Sequence, residues 1–155
     1  MGTSTNGQIS FGIVFEEEFE FPWDKEFEGD IEQWWLLDVC KYKPPFELFD
    51  ETGNYINGIE PSKDQVSAYF DSEREFLDAH RCPAELLNYC SADSPMYALV
   101  IPSTVVTARR GDPVLLDLKG LVVDDFERQA LLDFCARHNI ECAEVPHWIL
   151  SSYWG

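Results

Sequence analysis

Apolar and polar positions alternate in short runs along much of the chain, and three stretches switch to helical spacing. Residues 8–15 (QISFGIVF) are β-branched and aromatic with partial alternation, which predicts a strand. Residues 85–90 and 96–108 predict two more. The second of these (MYALVIPSTVVTA) is the most apolar run and is expected near the centre of a sheet, with a bulge or an edge at Pro102, because proline lacks a ladder donor. Residues 148–153 predict a closing strand. A helix is expected from Asp30, where Gln33 completes a capping-box pattern; it turns Trp34, Leu37 and Val39 to the core and ends at Lys43-Pro44-Pro45. Ser62 and Gln65 form a second capping box. The helix behind it runs from Lys63 to about His80, with Val66, Tyr69, Phe70, Phe76 and Leu77 near one face. Asp124 with Glu127 opens a third helix, which reaches about His138, and Asn139 suits the left-handed position past its end. Residues 46–56 predict a hairpin turning at Gly53-Asn54, and Arg109-Arg110-Gly111-Asp112 a turn. The expected fold is α+β: a mostly antiparallel sheet with about three helices packed on it, in one compact domain over 1–155, residues 1–7 frayed.

Composition narrows the function classes. The net charge is −18 at pH 7, and residues 1–80 hold 19 acids against 5 bases. Direct binding to nucleic acid or to an anionic membrane is disfavoured by like charge, and a basic protein partner is favoured. Acidity also confers solubility without any partner. The five cysteines are odd in number and irregularly spaced, no basic-then-apolar leader opens the sequence, and no apolar run approaches the ~20 residues of a membrane span. A cytoplasmic protein with free thiols is expected.

The acids are most concentrated between Glu16 and Glu32, nine of them against the single Lys25. Aromatics alternate with them: Phe15, Phe19, Phe21, Trp23 and Phe27. A plain acidic tail is solvated and lacks aromatics. Here rings can pin the segment to a core and hold carboxylates at fixed places. The second helix adds Asp64, Asp71, Glu75 and Asp78 on one face, spaced by about 5–11 Å at 1.5 Å per residue, a scale comparable to duplex phosphates. An ordinary solvated helix face gives the same stripe. The residues expected to meet a basic partner are Glu16, Glu17, Glu18, Glu20, Asp24, Glu26, Glu28, Asp71, Glu75 and Asp78, with Phe21 and Trp23 as anchors beside them.

Other chemistry is thinner. His80, Cys82 and Cys90, and separately Cys135, His138 and Cys142, are groups of metal-ligand types, but neither has paired CxxC or HxxxH spacing, so no metal or other cofactor is expected. Asp50-Glu51-Thr52-Gly53-Asn54 has its glycine at the wrong place for a calcium loop. Cys90 in the turn CSADS and His147 form a nucleophile–base pair if their strands are adjacent, although no nucleophile elbow or phosphate loop accompanies them. The C-terminal HWILSSYWG carries Trp148, Tyr153 and Trp154, which suit docking into the core; a surface aromatic patch for a partner or a homodimer is the alternative.

The segments FGIVFEEEFEFPWD, the helix with WWL, PPFELFD, AELLNYCS, PMYALVIPS and WILSSYWG together resemble small acidic proteins encoded by tailed bacteriophages and prophages, nearly end to end from Gln8 to Gly155. No catalytic motif travels with that resemblance, and no functional residue is carried over. It implies a protein made in an infected bacterial cytoplasm. Small phage proteins of this kind are often inhibitors of host enzymes or immunity, such as anti-CRISPR or anti-restriction proteins, and acidic ones frequently imitate nucleic acid. The expected partner is then a basic host protein or ribonucleoprotein complex, and the expected role non-enzymatic. A binding or assembly module using Trp23, Tyr153 and Trp154, and a small Cys/His hydrolase or zinc protein, are the alternatives.

Overall fold

In the computed structural model, which describes residues 5–50, 52–91 and 93–154, the first predicted strand becomes β1 (Thr5–Val14). It starts earlier than the periodicity implied: residues 5–7, expected to fray, are part of the strand, while 1–4 lie outside the described residues. The remaining strands are β2 (Glu85–Ser91), β3 (Pro95–Val100), β4 (Val106–Ala108) and β5 (His147–Trp154). With α1 (Ile31–Trp34), α2 (Lys63–Ala79) and α3 (Asp125–Arg137) they make an α+β fold whose sheet is mixed, mostly antiparallel and five-stranded.

The sheet order is β3-β2-β5-β1-β4, and β3 also pairs with β1. Four strands therefore close into a ring, β1–β5–β2–β3, in which only the short β2–β5 pairing is parallel. Closure is close-packed at Gly12, which pairs with Val100 in β3 and His147 in β5. A Cβ there would overlap the Leu99 carbonyl oxygen and stand 2.7 Å from the Val100 Cα, so only glycine lets the backbones approach this closely. Pro102 ends the apolar run not with a bulge but with a 3-10 turn, Pro102–Thr104, that splits it into β3 and β4. Thr104 stabilises the break: its hydroxyl donates to the Ile101 carbonyl (2.6 Å) and accepts from the Phe11 N–H (2.9 Å). Inside the ring, Leu87, Ala98, Val100 and Ile149 pack with Val14, Tyr89 and Val105.

The chain forms two compact units, Met1–Ile31 with Pro83–Gly155, and Glu32–Cys82. The sheet and α3 belong to the first. Leu131, Phe134 and Cys135 are the buried residues of α3, and Arg128 lies 5.2 Å from the Phe11 ring. Asp124 caps α3 by accepting from the Phe126 N–H at 2.7 Å. Glu127 instead accepts from the Ser103 hydroxyl, at 2.7 Å. Asn139 has φ 55°, as its place past α3 required.

In the second unit, winding passes from α to π over Trp35–Val39, and the Cys40 N–H donates to the Trp35 carbonyl at 2.8 Å. The wider turn rotates the faces, so Trp34 and Leu36 are buried and Leu37 is exposed, which corrects the expected inward Leu37. The Ser62–Gln65 capping box forms both of its bonds. The expected hairpin over 46–56 reduces to one bridge, Phe49 to Tyr55. Asp50 accounts for this: its carboxylate accepts from the Thr52 N–H, the Thr52 hydroxyl and the Asn54 N–H, a local turn that competes with a ladder. The same bonds, the Thr52 hydroxyl foremost, hold the Asp50 carboxyl below its ordinary pKa. Glu51, part of that predicted hairpin, lies outside the described residues.

Candidate functional site

The acidic segment after β1 folds as a chain of tight turns. Phe19 N–H donates to the Glu16 carbonyl, Asp24 N–H to Phe21, Phe27 N–H to Trp23 and Asp30 N–H to Phe27, all between 2.8 and 3.1 Å. Glu28 and Gly29 both take positive φ and complete the reversal. The rings between the acids stack upon one another. Phe15, Phe19 and Phe21 meet in a triangle with centroids 4.6, 5.0 and 4.8 Å apart, and Phe21 stacks on Trp23 at 4.9 Å and 11°. Phe21 also meets Tyr97 of β3, and Trp23 lies 6.4 Å from Phe134 of α3. Trp23 is completely buried.

This arrangement turns the carboxylates outward. Glu16, Glu17, Glu18, Glu20, Glu26 and Glu28 are all exposed. Glu20 pairs with Lys25 at 3.0 Å, whereas Glu16, Glu17, Glu18, Glu26 and Glu28 make no ion pair among the described residues. Asp24 behaves differently: it is half-buried and its carboxylate accepts from the Phe21 N–H at 2.7 Å, so it shapes the segment. Phe21 and Trp23, expected as anchors for a partner, face the core instead and hold the acids in place from within. Their size and apolarity win over display because each buries a large ring.

The remaining predicted acids, Asp71, Glu75 and Asp78, lie on α2 in the second unit. Asp71 pairs with Arg74 at 2.6 Å and accepts from the Ser67 hydroxyl, and Asp78 pairs with Arg81 at 3.2 Å. Glu75 is exposed. Two of the three thus have their charge partly answered by a neighbouring arginine, as on an ordinary helix surface.

No group of three or more His, Cys, Asp and Glu side chains comes together to hold a metal among the described residues. His80 stacks on Phe76 at 4.1 Å, and His138 lies beside Phe134. Burial, with Cys142 beside it, pushes the Cys135 thiol up to about 12. Strands β2 and β5 are neighbours, as a Cys90–His147 pair requires, but the register sets Cys90 beside Tyr153, six residues along β5 from His147, or about 20 Å at strand rise. The nucleophile–base pair is therefore not formed. At the C-terminus, Trp148 meets Phe11 edge-on at 5.6 Å, while Trp154 is 55% exposed and Leu150 82%. Docking thus holds for the first aromatic and not the last. Ala92 and Gly155 lie outside the described residues.

One surface feature went unread in the sequence. Between the turn at 109–112 and α3, the large side chains Val114, Leu115, Leu116, Leu118 and Val122 are all exposed, as is Phe126 in the first turn of α3. Their signal was present, an apolar run with acids interleaved, but apolar residues in a globular chain are expected inside. No helix of the described residues is long and apolar enough to cross a membrane. Comparison finds no matching family model, no matching curated protein and no matching solved structure.

Proposed function

We propose that this chain is a phage-type, non-enzymatic inhibitor acting in the bacterial cytoplasm, and that it occupies a basic, nucleic-acid-binding surface of a host defence complex in place of the strand. One observation carries the reading: five carboxylates without ion pairs among the described residues, those of Glu16, Glu17, Glu18, Glu26 and Glu28, stand on a backbone whose rings are stacked into the core. Negative charge held on a rigid support loses little side-chain and loop entropy on meeting a Lys/Arg groove, unlike charge on a solvated tail. The net charge of −18 would speed encounter with a basic surface and make the association salt-sensitive.

The test is competition. Purified CRISPR and restriction effectors are assayed for DNA binding by gel shift, with and without this protein, across a salt series. The expected outcome is displacement of DNA from at least one effector, weakening as salt rises. A variant with Glu16, Glu17, Glu18, Glu26 and Glu28 changed to Gln should lose it by on the order of a hundredfold. Displacement that persists in that variant, or that ignores salt, removes charge mimicry as the mechanism.

A further inference from the structure

The segment between the 109–112 turn and α3 is not absorbed by this reading. Every residue from Gly111 to Gly120 is exposed, and Leu115 keeps 96% of its surface in water. Such a run of aliphatic side chains is costly to leave in water and marks an interaction site more often than an idle loop. The backbone is unusual in the same place. From Pro113 to Asp117 it forms neither helix nor strand, Asp117 is extended, and the N–H groups of Val114, Leu115, Leu116 and Leu118 make no hydrogen bond among the described residues. Both ends are tied. Asp112 N–H donates to the Arg109 carbonyl, Lys119 N–H to the Asp117 carboxylate, and Asp124 caps α3. The segment is thus a short apolar stretch with open backbone groups, held out between two fixed points.

We infer that residues 113–118 are a docking strand that adds, in extended form, to the sheet edge of a partner whose neighbouring groove is apolar and rimmed by Lys or Arg. Edge addition uses what this stretch offers: main-chain donors and acceptors for affinity and side chains for pockets. The rim is set by charge. Asp112 and Asp117 border the apolar stretch itself, with Lys119 past its end and Arg109 and Arg110 on the turn before it, and the chain around it is strongly acidic. The same acidity, on a chain of net charge −18, argues against a second copy as the occupant.

The experiment uses the whole chain and a fluorescent peptide of alternating lysine and valine, a basic strand-former, titrated by anisotropy. Binding is expected, with slowed amide exchange at residues 114–118 in the complex. Leu115→Ser with Leu118→Ser should weaken it by on the order of tenfold or more while the melting temperature stays put, since both side chains are exposed. A lysine–serine peptide should bind far more weakly. Equal binding of the two peptides, undiminished binding by the leucine variant or unprotected amides would each overturn the inference. A dimer in sedimentation that the leucine variant disperses would overturn the choice of occupant. Effector competition is read on the acids at 16–28 and peptide binding on the leucines, so the two proposals fail separately.

Discussion

Two irregular segments of the first unit interleave acids with large apolar residues, and they end in opposite places. Residues 15–30 bury Phe15, Phe21 and Trp23 and display most of their carboxylates; in residues 113–124 Val114, Leu115, Leu116, Leu118 and Val122 are displayed as well. The difference lies in ring size and in turn bonding. Phe15, Phe19, Phe21 and Trp23 stack continuously and reach Tyr97 and Phe134, and Asp24 folds back to fix Phe21. In the later segment Asp117 and Asp124 also fold back onto the backbone, but they fix its far end and not its apolar centre. Alternation of acid and hydrophobe alone therefore does not decide which face is buried; the decision comes from what the apolar groups find to pack against.

The largest test of this contrast is a pair of truncations. Trp23→Ala removes a completely buried ring and should destabilise the protein by about 3–5 kcal/mol in urea unfolding, whereas Leu115→Ala should stay within about 0.5 kcal/mol of the parent. Equal losses would mean that both segments are packed alike. The cysteines give a second readout. Cys135 is buried in α3 with its thiol pushed up to about 12, while Cys90 is exposed, so at pH 8 Cys135 should alkylate more slowly by on the order of a hundredfold or more. The sign follows from a folded value above the ordinary 9: the neutral thiol is favoured, its contribution to stability is intact below pH 9, and it is lost as pH climbs from there toward 12. Trp23→Ala should speed modification of Cys135 and leave Cys90 unchanged, as followed by mass spectrometry.

Smaller effects sharpen the comparison. Asp24→Ala removes a charge-assisted bond to a backbone N–H and should cost about 1–2 kcal/mol, against a few tenths for the exposed Glu17→Ala. Asp124→Ala should cost about 1 kcal/mol as a lost helix cap and should increase amide exchange in the first turn of α3. A larger cost than Asp24→Ala would mean that the later segment leans on its cap more than the early one leans on its turn.

Local signals were legible in the sequence wherever chemistry and geometry coincide within a few residues. The Ser62–Gln65 box, the Asp124 cap, the left-handed Asn139 and the starts of β2, β3 and β5 are of this kind. The outward acids over inward rings at 16–28 were also readable, because alternation there matches a one-sided burial. Features set by hydrogen-bond register were not. The π winding at Trp35–Val39 moves Leu36 inward and Leu37 outward with no mark in the apolar pattern, and the offset between Cys90 and His147 depends on how β2 meets β5. The exposed Val114–Leu118 escaped notice for a different reason: hydrophobicity reports what would gain from burial, not whether a surface is there to bury it.

Strand β1 has a late companion. Its eight rungs with β5 join Thr5 to Trp154 and Gly12 to His147, so its longest ladder links residues far apart in sequence. On the ribosome the start of this chain emerges long before residues 147–154 exist, and until they do one edge of the nascent strand stands open. Loop closure of that length is slow, which predicts a sheet that forms only once residues 147–154 have been made and a nascent strand that needs protection from its own kind while it waits.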